Sequence, residues 1–277
     1  MCIPDVLAYE KGRLALAQTE CQSSVMNSPP LAAESGSAVP LGPWRKLRSG
    51  VYVAVAEPES VNLGLIVGAH RTLLIDTGSS PEQGREIRDS VTAVTDRPLA
   101  AVVITHWHYD HAFGLAAFGD VPRIAHESVH TRLSSAEAAA DARRLGVDPS
   151  SLARPSQEIA VAIAIDLGDR RVEIAHLGRG HTDGDLVVVI PDADVLFAGD
   201  LIESAGPPSF GSDSVPEEWP ATADGLIGLM TEATLAVPGH GEPVRREFVF
   251  EQRGWIAAQA AERATPPQPS RPELPLA

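Results

Sequence analysis

The chain has little of several features that would assign it to a class. Its two cysteines, Cys2 and Cys21, do not imply a disulfide framework, and they lie far along the chain from every other candidate ligand. Lysine occurs only as Lys11 and Lys46, and 22 basic residues stand against 37 acidic ones. The formal charge of -15 repels phosphate backbones, and no apolar run approaches the roughly 18 residues of a membrane span. We therefore expect a small-molecule substrate, with neither nucleic acid nor a membrane as partner.

The two ends of the chain differ in composition from its middle. Residues 1–40 are predicted to form a weakly ordered or disordered lead, because residues 23–40 are rich in Ser, Pro, Ala and Gly. Residues 41–264 are predicted to form one domain, and residues 265–277 a disordered, proline-rich tail. Asp5, Glu10 and Lys11 interrupt the apolar residues at the start, unlike a secretory signal, so the cytoplasm is the expected location.

The most informative segment is the six-residue run from His106 to His111, which contains three histidines and Asp110. It directly follows the apolar, β-branched run Leu99–Ile104, which predicts a buried strand. The motif is thus placed at the carboxyl end of a strand, where α/β folds carry their chemistry. Imidazole and carboxylate groups together suit zinc, iron or manganese, so the motif predicts a metal site.

Three later segments add candidate ligands at comparable positions. His181 lies in a glycine-containing turn just before the predicted strand 186–190. Asp200 is predicted to end the strand that begins at Val195, and His240 follows a short strand over residues 235–237. Ligands at strand ends can converge on one edge of a sheet, although they are far apart in the sequence.

Taken in order, these motifs (His-x-His-x-Asp-His, Gly-His-Thr, Ala-Gly-Asp and Gly-His) resemble those of the metallo-β-lactamase-fold hydrolases. The upstream segments Asn62–Val67 and Leu73–Gly78 match the family as well, so that the resemblance covers roughly residues 48 to 250. It implies an α/β fold, a four-layer αββα sandwich, with two divalent metal ions at one edge between the sheets.

The resemblance also implies a role for each ligand. The first metal would be held by His106, His108 and His181, the second by Asp110, His111 and His240, and Asp200 would bridge the two. Zinc is the first choice, with iron or manganese at the same ligands as alternatives. Asp110 would in addition orient a bridging hydroxide as the catalytic residue. Asp76 resembles the family aspartate that orients a ligand loop, although a plain turn residue explains it equally well.

The predicted activity is hydrolysis of a small ester, thioester, lactone or amide by a bridging hydroxide. A β-lactamase is one alternative, disfavoured because Asp200 stands where β-lactamases of the family often carry cysteine. A persulfide dioxygenase with a single iron, which uses a subset of the same ligands, is another. A non-catalytic binding role is the third, and the complete ligand set speaks against it.

The sequence also offers candidates for the substrate pocket. Trp107, Tyr109 and Phe210 are candidate pocket walls, and the Gly-, Pro- and Ser-rich segment 204–215 is a candidate mobile lid. One long alanine-rich helix is expected over Glu127–Leu145, and a helix over Pro81–Val94 with Ser80 as its N-cap. His70, His126, His130 and His176 are assigned no function.

Overall fold

A computed structural model describes residues 41–264 of the chain. The strands, in chain order, are β1 (Arg45–Arg48), β2 (Val51–Ala56), β3 (Val61–Val67), β4 (Thr72–Ile75), β5 (Leu99–Val103), β6 (Arg123–His126), β7 (Gln157–Ile159), β8 (Ala162–Asp166), β9 (Arg171–Ala175), β10 (Val187–Ile190), β11 (Val195–Glu203) and β12 (Leu235–His240). The helices are α1 (Pro81–Ser90), α2 (Tyr109–Ala112), α3 (Glu127–Leu133), α4 (Ala136–Arg144), α5 (Trp219–Gly228) and α6 (Arg246–Ala264).

The strands form two groups that meet at β3 and β12. In the first group, β1, β2, β3 and β4 pair antiparallel, and β4, β5, β6 and β7 continue the sheet in parallel. In the second group, β8, β9, β10 and β11 are antiparallel neighbours, and β11 pairs in parallel with β12. The two groups join where Val61 of β3 faces His240 of β12.

Three hydrophobic clusters separate the layers of the fold. The first packs α1, α3 and α4 against one face of the first sheet and includes Ile87 and Leu74. The second lies between the two sheets and is built from side chains such as Ile75 and Val188. The third packs α5 and α6 on the outer face of the second sheet, with Leu226 among its members. The layers therefore run helices, sheet, sheet, helices, which confirms the predicted αββα sandwich.

Several predicted elements differ from the structure. The strand expected over residues 235–237 continues to His240, so that His240 lies at the end of β12 and not after it. The helix expected over Glu127–Leu145 is two helices, α3 and α4, because Ser135 caps a new start by accepting a hydrogen bond from the backbone N–H of Ala138. The strand expected to stop at Asp200 continues to Glu203, so that Asp200 lies inside β11. The helix after Ser80 is confirmed, although its last turn, residues 91–93, is a 3-10 helix.

The predicted lead (1–40) and tail (265–277) lie outside the described residues, and their proposed boundaries stay predictions. Within residues 41–264, no helix is both long enough and apolar enough to cross a membrane. The expected cytoplasmic location is a separate prediction that this finding does not test.

Candidate metal centre

The structure brings all seven predicted ligands together at one edge of the sandwich. They form two groups of side chains whose ligand atoms lie within 4.8 Å of one another. The first ligand group consists of His106, His108, His181 and Asp200, and the second of Asp110, His111 and His240. The side chains are largely withdrawn from solvent, and those of His106 and His111 are almost completely buried.

Parallel strands explain why residues distant in sequence meet here. The segment 106–111 follows β5, and its second half forms the single turn α2, which carries Asp110 and His111. Asp200 and His240 lie on the neighbouring parallel strands β11 and β12. The turn before β10 supplies His181 and is joined to the segment that follows β5 by a hydrogen bond from the Leu186 N–H to the Thr105 carbonyl.

Two glycines admit Asp200 to the centre of the site. The register of β11 against β12 shifts on both sides of Gly199, whose φ of +51° lies in the left-handed region that favours glycine. On the facing strand, a Cβ added to Gly239 would lie 1.7 Å from Oδ1 of Asp200. No side chain larger than hydrogen fits at position 239 while the Asp200 carboxylate stays where it is.

The Asp200 carboxylate lies between the two ligand groups. Its Oδ1 is 3.2 Å from Nε2 of His111, and its Oδ2 is 3.4 Å from Nε2 of His181. Oδ2 is also 3.6 Å from Nε2 of His240. One carboxylate therefore reaches imidazole nitrogens of both groups, the arrangement required of a ligand shared between two ions.

The outward nitrogen of every imidazole in the site contacts a protein oxygen. His106 Nδ1 lies 3.1 Å from the Thr105 hydroxyl, and His108 Nε2 lies 3.2 Å from an oxygen of Asp213. The other three contacts are His111 Nδ1 to Asp76 at 2.9 Å, His181 Nδ1 to the Ser209 carbonyl at 3.3 Å and His240 Nδ1 to the Glu59 carbonyl at 2.9 Å. An acceptor at the outward nitrogen fixes the tautomer, so the inward nitrogen presents a lone pair.

These inward lone pairs converge closely. Nδ1 of His108 lies 3.1 Å from Nε2 of His106 and 2.8 Å from Nε2 of His181, and a carboxylate oxygen of Asp200 lies within 4.8 Å of these nitrogens. Nε2 of His111 and Oδ1 of Asp200 are buried and lie 3.2 Å apart, but neither makes a hydrogen bond of acceptable geometry with any of residues 41–264. Cations between these atoms would satisfy them, so the residues present fit a pair of divalent metal ions.

The electrostatics of the site differ from one imidazole to the next, since the pKa values of His106 and His181 are lowered by burial and those of His108, His111 and His240 are raised by nearby carboxylates. Burial lowers the pKa of His181 to about 4, which keeps the imidazole neutral, as a metal ligand must be. At His111, the carboxylates of Asp200, Asp110 and Asp76 outweigh burial and raise the pKa well above its usual value. The carboxylates thus favour a positive charge at the second ligand group, which a bound cation would supply.

Asp76 contacts a ligand and does not merely form a turn. Its φ of +61° is unusual for a non-glycine residue, and its side chain is buried. Oδ1 accepts a hydrogen bond from the Thr105 N–H, while Oδ2 accepts one from the Thr105 hydroxyl and contacts His111 Nδ1. Through Thr105, which in turn contacts His106, this aspartate supports imidazoles of both ligand groups.

Asp213, which no sequence motif predicts, contacts the first ligand group from the other side of the site. Its carboxylate contacts His108 Nε2 and accepts a hydrogen bond of 2.7 Å from the indole N–H of Trp107. Although burial opposes the shift, His108 and Trp107 together lower the pKa of Asp213 to about 2. No motif surrounds Asp213 in the sequence, and a serine- and glycine-rich loop gives no signal of such a contact.

The segment 204–215, expected to form a mobile lid, supplies oxygens to two ligands of the first group, from Ser209 and Asp213. The Ser214 hydroxyl also donates to the backbone carbonyl of His181. Trp107 and Tyr109 line the cavity over the site, as expected. Phe210 does not: its ring packs against Trp219 and Trp255, because an apolar ring is better buried against the third hydrophobic cluster than in a polar cavity.

Comparisons with known proteins point to one family. The family model of the metallo-beta-lactamase superfamily matches residues 56–243, more than half of the chain. A "Metallo-beta-lactamase type 2" of Bacillus sp. (strain 170) is 26% identical over 202 residues, which cover 72% of this chain and 73% of that protein. The Bos taurus "Acyl-coenzyme A thioesterase MBLAC2" is 27% identical over 217 residues, covering 68% of this chain and 76% of its own.

A solved structure shares the fold. The metallo-beta-lactamase from Pontibacter korlensis superposes with a TM-score of 0.65 at 22% identity, covering 77% of this chain and 97% of its own.

Proposed function

The chain belongs to the metallo-β-lactamase superfamily and is a metal-dependent hydrolase, and we propose that it uses two metal ions to cleave a small carbonyl substrate. The substrate is an ester, thioester, lactone or amide. Zinc is the proposed metal at both positions, because neutral imidazoles and carboxylates are typical zinc ligands. The observation that carries the proposal is the convergence of five imidazole lone pairs and two carboxylates with every outward nitrogen held.

Bound divalent ions supply a Lewis acid for the carbonyl oxygen and a nucleophile derived from water that is ionised near neutral pH. The chain's own residues do the rest. The first ligand group would hold one ion and the second ligand group the other, and Asp200 lies between the two groups. Asp110 lies 3.3 Å from His240 at the cavity wall, where its carboxylate can accept a proton from the attacking water and orient it.

Metal content per chain tests the proposal first. Protein expressed without metal supplementation should contain about two equivalents of zinc by plasma mass spectrometry, and should hydrolyse p-nitrophenyl acetate or a simple lactone. A single iron per chain, with oxygen uptake on a glutathione persulfide, would contradict the proposal and favour a dioxygenase.

A ligand variant and a matched control make this test specific to the site. His108→Ala should lose at least one equivalent of metal and reduce kcat/KM at least about a hundredfold, because it removes the nitrogen on which the first ligand group converges. The control is His130→Ala, which removes an exposed histidine that pairs with Glu158 on the surface. Equal activity of the two variants would reject the assigned site.

A further inference from the structure

The cavity over the metal centre has an unusual charge pattern. It has a volume of about 710 Å³, and the cavity wall includes the ligands, Trp107 and Tyr109. Five carboxylates line it in addition to Asp110 and Asp200, namely Glu59, Glu137, Asp141, Glu203 and Asp213. Among the described residues that line the cavity, none is lysine or arginine.

Two arginines lie against the aromatic residues of the cavity wall, and each is paired with a carboxylate. Arg132 lies behind the Trp107 ring and binds Asp183, with Nη2 2.8 Å from a carboxylate oxygen. Arg144 lies 5.0 Å from the centre of the Tyr109 ring and pairs with Asp141 at 3.2 Å. Arg144 therefore offsets the charge of Asp141, whereas Glu59 and Glu137 have no arginine partner among residues 41–264.

The metal ions do not remove the effect. Two divalent ions would attract an anion at the reacting centre itself, but Asp110 and Asp200 neutralise part of their charge there. A group several ångströms from the reacting carbonyl lies instead among the outer carboxylates Glu59, Glu137 and Asp141. In a cleft lined by charges of one sign, the field favours ligands of the opposite sign and disfavours ligands of the same sign.

We propose that the substrate of this site carries no anionic group, and that a positively charged group away from the reacting carbonyl favours binding. This inference rests on the proposed function, because it names the substrate class of the same site. The fitting compounds are neutral or amine-bearing esters, lactones and amides. Coenzyme A thioesters, alkyl sulfates and β-lactams that carry a free carboxylate are excluded as good substrates.

Binding can test the charge preference without turnover. Three hydroxamates that share a metal-binding head and differ in the charge of the tail serve as probes: 6-aminohexanohydroxamate, heptanohydroxamate and adipic acid monohydroxamate. On the zinc-loaded protein at low salt, calorimetry should give the tightest Kd for the ammonium tail, at least about tenfold below that for the carboxylate tail. The ratio of the two Kd values should shrink in 0.5 M NaCl, because the Debye length is then roughly 4 Å and exposed charges farther apart than this are largely screened. Equal affinities, a preference for the carboxylate tail, or no binding of any probe would overturn the inference.

Neutralising two of the outer carboxylates shows whether these residues cause the charge preference. The double variant Glu137→Gln, Asp141→Asn should reduce the ratio between the ammonium and carboxylate tails severalfold, because it removes two negative charges and leaves Arg144 unpaired. Glu82→Gln with Asp224→Asn removes two surface charges elsewhere, both paired with arginines, and should leave the ratio unchanged. An unchanged ratio in the Glu137→Gln, Asp141→Asn variant would reject the role of these carboxylates.

Hydrolysis of matched esters separates this inference from the proposed function. The p-nitrophenyl esters of 4-(trimethylammonio)butanoate, 5,5-dimethylhexanoate and glutarate carry positive, neutral and negative tails. Efficient hydrolysis of the glutarate ester would overturn the charge preference and leave the hydrolase standing. Failure of all three esters, with the hydroxamates still binding in the expected order, would reject carbonyl hydrolysis and support the charge preference.

Discussion

At the scale of single residues, the site depends on the oxygens around the imidazoles as much as on the imidazoles themselves. A histidine can bind a metal through either nitrogen, and the acceptor at the other nitrogen decides which. Here the choice is not uniform: His108 turns Nδ1 inward, while His106 and His181 turn Nε2 inward. The contact between His108 Nε2 and Asp213 accounts for this difference.

Asp213→Asn is expected to weaken the first metal position without unfolding the protein. The amide keeps the shape of the side chain but loses the negative charge beside the imidazole of His108, which lowers the basicity of that ligand. Substitutions of this kind cost about 10- to 100-fold in metal affinity. Competition with a chromophoric zinc chelator measures the affinity, and kcat at saturating zinc should fall less than the affinity does.

Asp224→Asn is the matched control for that variant, because Asp224 pairs with Arg253 on the surface and contacts no ligand. Its zinc affinity should equal that of the unmodified protein. If Asp213→Asn binds zinc as tightly as this control does, Asp213 has no positioning role.

How much of the site was predictable from the sequence differs from residue to residue. The histidines and aspartates of the motifs could be found because several ligand residue types stand within a few positions of predicted strand ends. Asp213 could not be found in this way, since its partner His108 is 105 positions away and the segment that contains Asp213, residues 204–215, holds no recognisable motif. The contact exists because segment 204–215 folds back over the cavity, which only the tertiary structure shows.

At the scale of secondary-structure elements, the pairing of β11 with β12 determines where Asp200 lies. The strand before Asp200 was predicted to end too early, because Gly199 and Asp200 are weak strand formers. In the structure, β11 continues through an irregular register to Glu203, with Gly239 of β12 facing Asp200. The missed break between α3 and α4 has a similar cause: a serine cap outweighed a run of alanines.

Gly239→Ala is expected to displace Asp200 and so weaken both metal positions. A Cβ at position 239 would lie 1.7 Å from Oδ1 of Asp200, far inside contact distance, so the carboxylate must move. We expect metal content to fall below one equivalent and zinc affinity to fall at least about tenfold. Plasma mass spectrometry and chelator competition measure the two effects.

Gly254→Ala provides the control, since a Cβ at position 254 in α6 meets nothing within 4 Å. It should keep two equivalents of metal and raise the free energy of unfolding by about 0.5–1 kcal/mol, because alanine is the better helix former. Full metal content in Gly239→Ala would show that the Asp200 carboxylate is not confined by β12.

At the scale of the whole molecule, the metal centre lies where the two halves of the sandwich meet. The first half supplies His106, His108, Asp110 and His111, and the second supplies His181, Asp200 and His240. Between β3 and β12 the sheets pair at only one position, Val61 with His240. The layer order was predictable from the family resemblance, whereas this narrow junction was not, because sequence motifs do not specify strand register.

Removal of the metal ions should therefore destabilise the whole domain. Bound ions connect side chains of both halves and neutralise converging carboxylates, whereas the metal-free site leaves buried His111 Nε2 and Asp200 Oδ1 without a hydrogen bond of acceptable geometry to any of residues 41–264. A ligand present at 1,000 times its Kd stabilises the folded state by about 4.1 kcal/mol, and each kcal/mol shifts the Tm of a domain of this size by about 2–4 °C. Chelation is thus expected to lower Tm by about 10 °C in differential scanning calorimetry, and added zinc should restore it.

Asp200→Ala, which lacks the shared ligand, should show a much smaller shift of Tm on chelation. A Tm that does not respond to chelation in the unmodified protein would mean that the ions do not join the two halves.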